Sequence, residues 1–272
     1  MLLLFFVTTY LGVTEAAKGI DCAYAMSVDA IKCIIGKGQG DFIVIRGWRS
    51  NNVFDQEAPR TYANAKSLGI NDIDVYFYPC VNCGNPSGQL SSFLSSAQSS
   101  GLSFNTLWFD VEVNSWSKNT QTNRKFLEDL LQAASGSGIR YGIYSSSGVW
   151  PSVMGSGYVS QTAAALPMWY SHYDHTASFD DYKNPKYQFN TYTNPYMKQY
   201  DGDINMCGVD VDLNYKPGTS NTPTAPTTPT APTEPTNEPT TEPTSPTTPD
   251  PESAGGNDGS APAGDAGGES AP

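Results

Sequence analysis

The chain has 272 residues, with 38% hydrophobic, 12% aromatic and only 15% charged side chains, which fits one domain with added segments better than two. Fifteen Lys and Arg face 27 Asp and Glu, a net charge of -12, so a nucleic-acid partner is excluded: nothing would displace counterions from a phosphate backbone. The acidity is uneven. After Lys216 no basic residue follows, while Glu234, Glu238, Glu242, Asp250, Glu252, Asp258, Asp265 and Glu269 add eight negative charges.

Residues 2–13 form an apolar run too short to cross a bilayer, followed by the small-residue exit Thr14-Glu15-Ala16-Ala17. Residues 1 to about 17 therefore read as a cleaved secretory signal. The mature chain is expected to carry no transmembrane segment, to be a monomer, and to be secreted or held in the lumen of a digestive or lysosomal vesicle.

In the body, apolar runs alternate with amphipathic ones. Strands are expected over 42–45, 74–78, 106–112, 140–144, 166–170 and 197–200, and helices near 26–36, 58–68, 87–100 and 121–135. In the last helix Phe126, Leu127, Leu130, Leu131 and Ala134 share one face, and Gly136 and Gly138 can end it. That order reads as βα repetition, an irregular TIM-like α/β barrel over residues 18–216 with its chemistry at the C-terminal ends of the strands. From 217 to 272 the chain turns to Thr, Pro, Ser, Gly, Ala and acid with no aromatic residue. Such a stretch is expected to be a disordered tail, either a glycosylated stalk or a plain linker.

All five cysteines, Cys22, Cys33, Cys80, Cys83 and Cys207, lie in the body. In a secreted chain the default is disulfide bonding, and Cys80 with Cys83 reads as a short-loop bridge, because no second CxxC completes a zinc site. His172 and His175 are the only histidines, and polar neighbours in a loop are preferred to a metal site for them.

Acidic residues sit at the ends of apolar strands, where stability alone would not place them: Asp21, then Asp110 and Glu112, then Asp210 and Asp212. Residues two apart on a strand face the same side, roughly 6.5 Å apart along the backbone, so Asp110 and Glu112 are expected to share one cleft. Two such carboxyls do not ionise independently, and the charge of Asp110 is expected to raise the pKa of Glu112 into the range of a general acid. Glycosidic cleavage commonly uses this arrangement.

At these residues the chain resembles glycoside hydrolase family 25, the Chalaropsis-type lysozymes, in their secreted invertebrate and protist branch. The resemblance spans about residues 18–216. It is carried by Gly19-Ile20-Asp21, Phe42-Ile43-Val44-Ile45-Arg46, Asp74-Val75-Tyr76, Asp110-Val111-Glu112, Gly142-Ile143-Tyr144, Met168-Trp169-Tyr170-Ser171-His172-Tyr173, Lys198-Gln199-Tyr200 and Val211-Asp212-Leu213-Asn214. It implies a barrel that hydrolyses the β-1,4 bond between N-acetylmuramic acid and N-acetylglucosamine in bacterial peptidoglycan, without metal or cofactor, in digestion of or defence against bacteria. By the same resemblance Glu112 is the general acid, Asp110 its carboxylate partner, and Asp21 and Asp212 the other acids of the cleft. Tyr76, Tyr78, Tyr144, Trp169 and Tyr200 are candidate sugar-stacking residues. The segment Arg46-Gly47-Trp48-Arg49-Ser50 departs from the Lys-Ala-Thr-Glu-Gly-like stretch of many members. Cys22 stands where the family usually has an aliphatic residue, which makes it the unpaired thiol and leaves Cys33 to pair with Cys207. Two rivals stay open: a chitinase-like hydrolase, and a non-catalytic glycan-binding module on a mucin-like stalk.

Overall fold

A computed structural model describes residues 16–217. The expected leader and acidic tail lie outside them, apart from Ala16, Ala17 and Pro217; Ala17 opens the first strand, paired with Lys216. Among the described residues nine strands form one sheet: β1 (Ala17–Cys22), β2 (Phe42–Arg49), β3 (Val53–Phe54), β4 (Asp72–Phe77), β5 (Leu107–Asp110), β6 (Tyr141–Ser145), β7 (Met168–Ser171), β8 (Met197–Met206) and β9 (Val209–Lys216). Eight of them close a barrel, since β1 pairs with both β2 and β9, and β3 is a short arm folded back on β2. From β1 to β8 the barrel strands run parallel, whereas β9 is antiparallel to both its neighbours. No parallel crossover is needed there because a two-residue turn at Cys207–Gly208, both with positive φ, joins β8 to β9.

The helices are α1 (Val28–Gly36), α2 (Ala58–Ser67), α3 (Pro86–Ser100), α4 (Thr120–Ser135), α5 (Val149–Met154) and α6 (Gln161–Ala164). At α1 and α4 a polar side chain caps the free backbone amides: the Ser27 hydroxyl accepts from Ala30 N, and Asn119 Oδ1 accepts from Gln121 N and Thr122 N. The five apolar residues on one face of α4 are all buried against the barrel. Inside it, Phe42, Val44, Trp108, Tyr144, Trp169 and Met197 form a separate core. Gly19 and Gly142 make room for it, because a Cβ on either would run into the Phe42 or Trp108 ring.

Among the parallel barrel strands the βα alternation stops at one place. Between β7 and β8 the chain makes only 3-10 turns, at Asp181–Lys183 and Pro185–Tyr187. Lys198, fully buried, points outward from β8 into this layer, where an apolar helix would strand its charge. A polar loop takes the helix's place: Lys198 Nζ lies 2.8 Å from Asp174 and 3.0 Å from Asp181, which also accepts from Tyr170 Oη and bonds His172. The disulfide Cys33–Cys207 ties α1 to the β8–β9 turn, Cys80–Cys83 closes a short loop after β4, and Cys22 is a buried free thiol.

At the N-terminal end of the barrel a buried carboxylate closes the interior. Asp74 accepts from Thr106 N at 3.0 Å and Trp108 Nε1 at 3.1 Å, and Lys216 Nζ meets it at 3.0 Å.

Candidate active site

At the opposite, C-terminal end, inward-facing side chains of all eight barrel strands and the segments after β4 and β5 surround a cavity of about 130 Å³. Asp21 comes from β1, Arg46 from β2, Tyr76 from β4 with Tyr78 just beyond it, and Asp110 from the last residue of β5. Tyr144 from β6, Trp169 from β7, Gln199 from β8 and Asp212 from β9 complete the ring, with Glu112 beside Asp110. Of the five acids singled out at strand ends, Asp21, Asp110, Glu112 and Asp212 thus converge.

Asp110 and Glu112 do not share a strand face as expected. β5 ends at Asp110, and Glu112 reaches the cavity from the loop beyond. The backbone there is fixed by its neighbours: Trp116 Nε1 donates to Asp110 O at 2.9 Å, Ser145 Oγ donates to Val111 O at 3.0 Å, and Val111 N donates to Tyr144 O. Such rigid support is what a site needs to hold its groups in register.

Burial dominates the electrostatics. Asp110 is 5% exposed and its Oδ1 has no hydrogen-bond partner. Burial, then the charges of Glu112 and Asp21, hold its pKa well above the ordinary carboxyl value. Asp21 is likewise raised, by burial and then by Asp212, against the opposing hydrogen bonds of Asn214 and Gln199. Glu112, only partly buried, is raised by burial first and next by Asp212, while a hydrogen bond with Tyr78 works the other way. Asp212 therefore acts on Glu112 from across the cavity, while within the Asp110–Glu112 pair it is the charge of Glu112 that raises Asp110, the reverse of the order expected. Burial raises Asp212 too, with Asp203 and Asp201 adding to it, and Tyr78 is pushed up to about 12 by burial and Asp110. Four carboxyls crowded in one poorly solvated cavity keep protons that isolated carboxyls would lose.

Arg46 lines the cavity but is turned to its own partners, Asp55 Oδ2 at 2.7 Å and Ala23 O at 2.8 Å. Gln199 is the polar hub: its amide nitrogen donates to Asp21 Oδ2 at 2.8 Å and Asp212 Oδ2 at 2.9 Å. Its carbonyl accepts from Tyr144 Oη at 2.6 Å and Tyr173 Oη at 3.0 Å. Behind Asp21, Asn214 Nδ2 donates at 2.6 Å and in turn accepts from Trp169 Nε1. Sequence reasoning quoted Gln199, Arg46 and Asn214 only as parts of motifs; the inward alternation Met197, Gln199 along β8 was the signal for the first.

Of the five candidate stacking residues, Tyr76, Tyr78, Tyr144 and Trp169 line the cavity, and Tyr200 does not. One position on from Gln199, Tyr200 faces the outer layer, where its ring packs in the main core and its hydroxyl pairs with Gln39. Asp210, near the start of β9, stays exposed beside Asn205 on β8. His172, Asp174 and Asp181 cluster within metal-ligand reach of one another, but the Lys198 ammonium already sits against both carboxylates. His175 bonds Asp201 at 2.9 Å. Among the described residues no helix is long and apolar enough to cross a membrane.

The family model described as Lysozyme-like protein 1 matches residues 13–200. The chain is 32% identical over 207 residues to the probable GH family 25 lysozyme 2 of Dictyostelium discoideum, covering 76% of this chain and 94% of that protein. It is 31% identical to Lysozyme-like protein 5 of Caenorhabditis elegans, covering 78% and 99%. Among solved structures it superposes on the modular autolysin LytC from Streptococcus pneumoniae with a TM-score of 0.57 at 18% identity, covering 74% of this chain but only 46% of that one. That likeness is one of fold.

Proposed function

The chain belongs to the lysozyme-like proteins of glycoside hydrolase family 25, and from that premise we propose that it is a secreted N-acetylmuramidase. It cleaves the β-1,4 bond between N-acetylmuramic acid and N-acetylglucosamine in bacterial peptidoglycan. The observation that carries this reading is the convergence of Asp21, Asp110, Glu112 and Asp212 on one cavity at the C-terminal mouth of the barrel, while Arg46 beside them is held by Asp55.

Glu112 is the proton donor. It is the more open carboxyl of the Asp-x-Glu pair, and its raised pKa keeps it protonated closer to neutral pH than an ordinary glutamic acid. Protonating the glycosidic oxygen lets the leaving sugar depart as an alcohol, and positive charge builds at the anomeric carbon. Asp110, deeper and with one oxygen unpartnered, faces that charge or holds the N-acetyl group that shares it. Tyr76, Tyr78, Tyr144 and Trp169 offer ring faces and edges to the sugars. The catalytic unit is residues 18–216, an irregular variant of the TIM barrel with an antiparallel closing strand. We assign the leader over 1–17 and the acidic tail over 217–272 to separate segments outside the catalytic unit.

A turbidity assay on purified bacterial walls, run beside an assay on chitin oligomers, tests the reading. Clearing of the walls with no cut in the oligomers is the expected result. Cleavage of chitin alone, or binding to walls without reducing ends released, rejects it in favour of a chitinase-like hydrolase or a glycan-binding module.

A further inference from the structure

Gln199 has an unusual position for a neutral side chain: it is 2% exposed and sits at the centre of a ring of ionisable groups. Both amide hydrogens go to carboxylates on two different strands, Asp21 on β1 and Asp212 on β9. Both carbonyl lone pairs accept phenols from two further elements, Tyr144 on β6 and Tyr173 after β7. The amide's capacity for hydrogen bonds is thereby filled, and only one orientation suits these partners. Flipped, the amide would no longer donate to Asp21 and Asp212 together, and its oxygen would turn from the two phenols toward the two acids.

Resting on the muramidase reading of this cavity, we infer that Gln199 is a positioning residue: it clamps Asp21 and Asp212 together and holds them facing the cavity they share with Asp110 and Glu112. Without a shared donor, Asp21 and Asp212, neighbours in the β1–β9 register, would repel one another or share a proton of their own. Asp212 also accepts from Asp203 N at 2.7 Å, and Asp201 and Asp203 add negative charge from the β8 side. Glu112, whose pKa responds to Asp212, is the group through which a disturbed clamp reaches the chemistry. Tyr173 couples the clamp to the surface. Its hydroxyl holds the Gln199 carbonyl, its ring rests on Gly202, where any Cβ would collide with it, and it is 48% exposed at the rim.

Replacing Gln199 by Glu keeps shape and both phenol contacts but removes both donors and adds a charge. Its kcat on peptidoglycan should fall about 10- to 100-fold at neutral pH, the cost of a small misplacement in a site, with KM little changed. As pH falls, the new carboxyl gains a proton, regains one donor, and part of the lost rate should return. Gln199→Met should lose a similar amount with no such acid recovery. Tyr173→Phe, a change near the surface, should lower kcat about threefold, since only one of the hydrogen bonds orienting the amide is lost. Equal losses for Glu and Met at every pH, tracking their melting temperatures, would overturn the inference. So would an unchanged kcat in Tyr173→Phe. Carbon-13 carboxyl titration by NMR needs no substrate: the Asp21 and Asp212 resonances should shift their midpoints in Gln199→Met. Unmoved midpoints would end the clamp even in a protein that lyses walls, and moved ones would keep it even if peptidoglycan proved the wrong substrate.

Discussion

Asp74 and Asp110 both lie on barrel strands, and both are almost fully buried, at 1% and 5% exposure. At the N-terminal end Asp74 receives an ammonium from Lys216, an indole N–H from Trp108 and a backbone N–H from Thr106. At the C-terminal end Asp110 has an oxygen with no partner, and the charges acting on it are other acids, Glu112 and Asp21. One end meets the requirement that a buried charge be paired; the other leaves it unmet. Fold stability explains the first carboxylate and offers no reason for the second, which is the mark of a group kept for its chemistry.

The contrast can be broken from the stable end, where the largest effect is expected. Lys216→Met strands Asp74 in the interior, and removing one partner of a buried pair costs roughly 3–5 kcal/mol. Thermal unfolding followed by circular dichroism should show a fall of about 10 °C, and adding Asp74→Asn should recover much of it. If Lys216→Met melts with the parent, the two ends of the barrel do not differ in the way described.

At the other end the leading effect is on rate. Glu112→Gln keeps the side chain's shape but removes the transferable proton, so turnover on peptidoglycan should drop about 100-fold or more while binding to walls survives. Asp110→Asn should also be severe. Near-normal turnover in Glu112→Gln would move the acid to Asp21 or Asp212.

The difference between the ends also explains what could be read from the sequence. α4 was plain because it buries one apolar face, Phe126, Leu127, Leu130 and Leu131, and β2 because its continuous apolar run, Phe42 to Ile45, is buried on both faces. β9 was not among the expected strands, because its inward face carries Asp212, Asn214 and Lys216, residues that hydropathy assigns to solvent. Lys198 lay in an expected strand, 197–200, but no local pattern records that its charge is buried against Asp174 and Asp181. The four acids were visible as charges set beside apolar runs. Gln199, uncharged and embedded in a motif, was not, and Tyr200 was mistaken for its neighbour's face. The end of β5 at Asp110 depends on the tertiary grip of Trp116 and Ser145 on the backbone beyond it, which no local period records.

The smallest effect expected is also the one that tests the contrast most directly. Asp110 holds its proton more tightly folded than unfolded, because burial, Glu112 and Asp21 raise its pKa. Below the ordinary carboxyl value near 4 both states are protonated and the site costs nothing. As pH rises from there toward the raised value, the unfolded chain ionises while the folded one resists, so the wild-type fold loses stability across that window. Asp110→Asn has no proton to lose. Its melting temperature should match the parent near pH 4 and exceed it at pH 7 by about 2–4 °C, equivalent to about 1 kcal/mol in a domain of this size. Asp74→Asn should move the opposite way at pH 7, because it leaves Lys216 without its buried partner. A melting-temperature difference for Asp110→Asn that stays constant between pH 4 and pH 7, or that has the sign of the Asp74 variant, would show that Asp110 is a structural carboxylate like its counterpart.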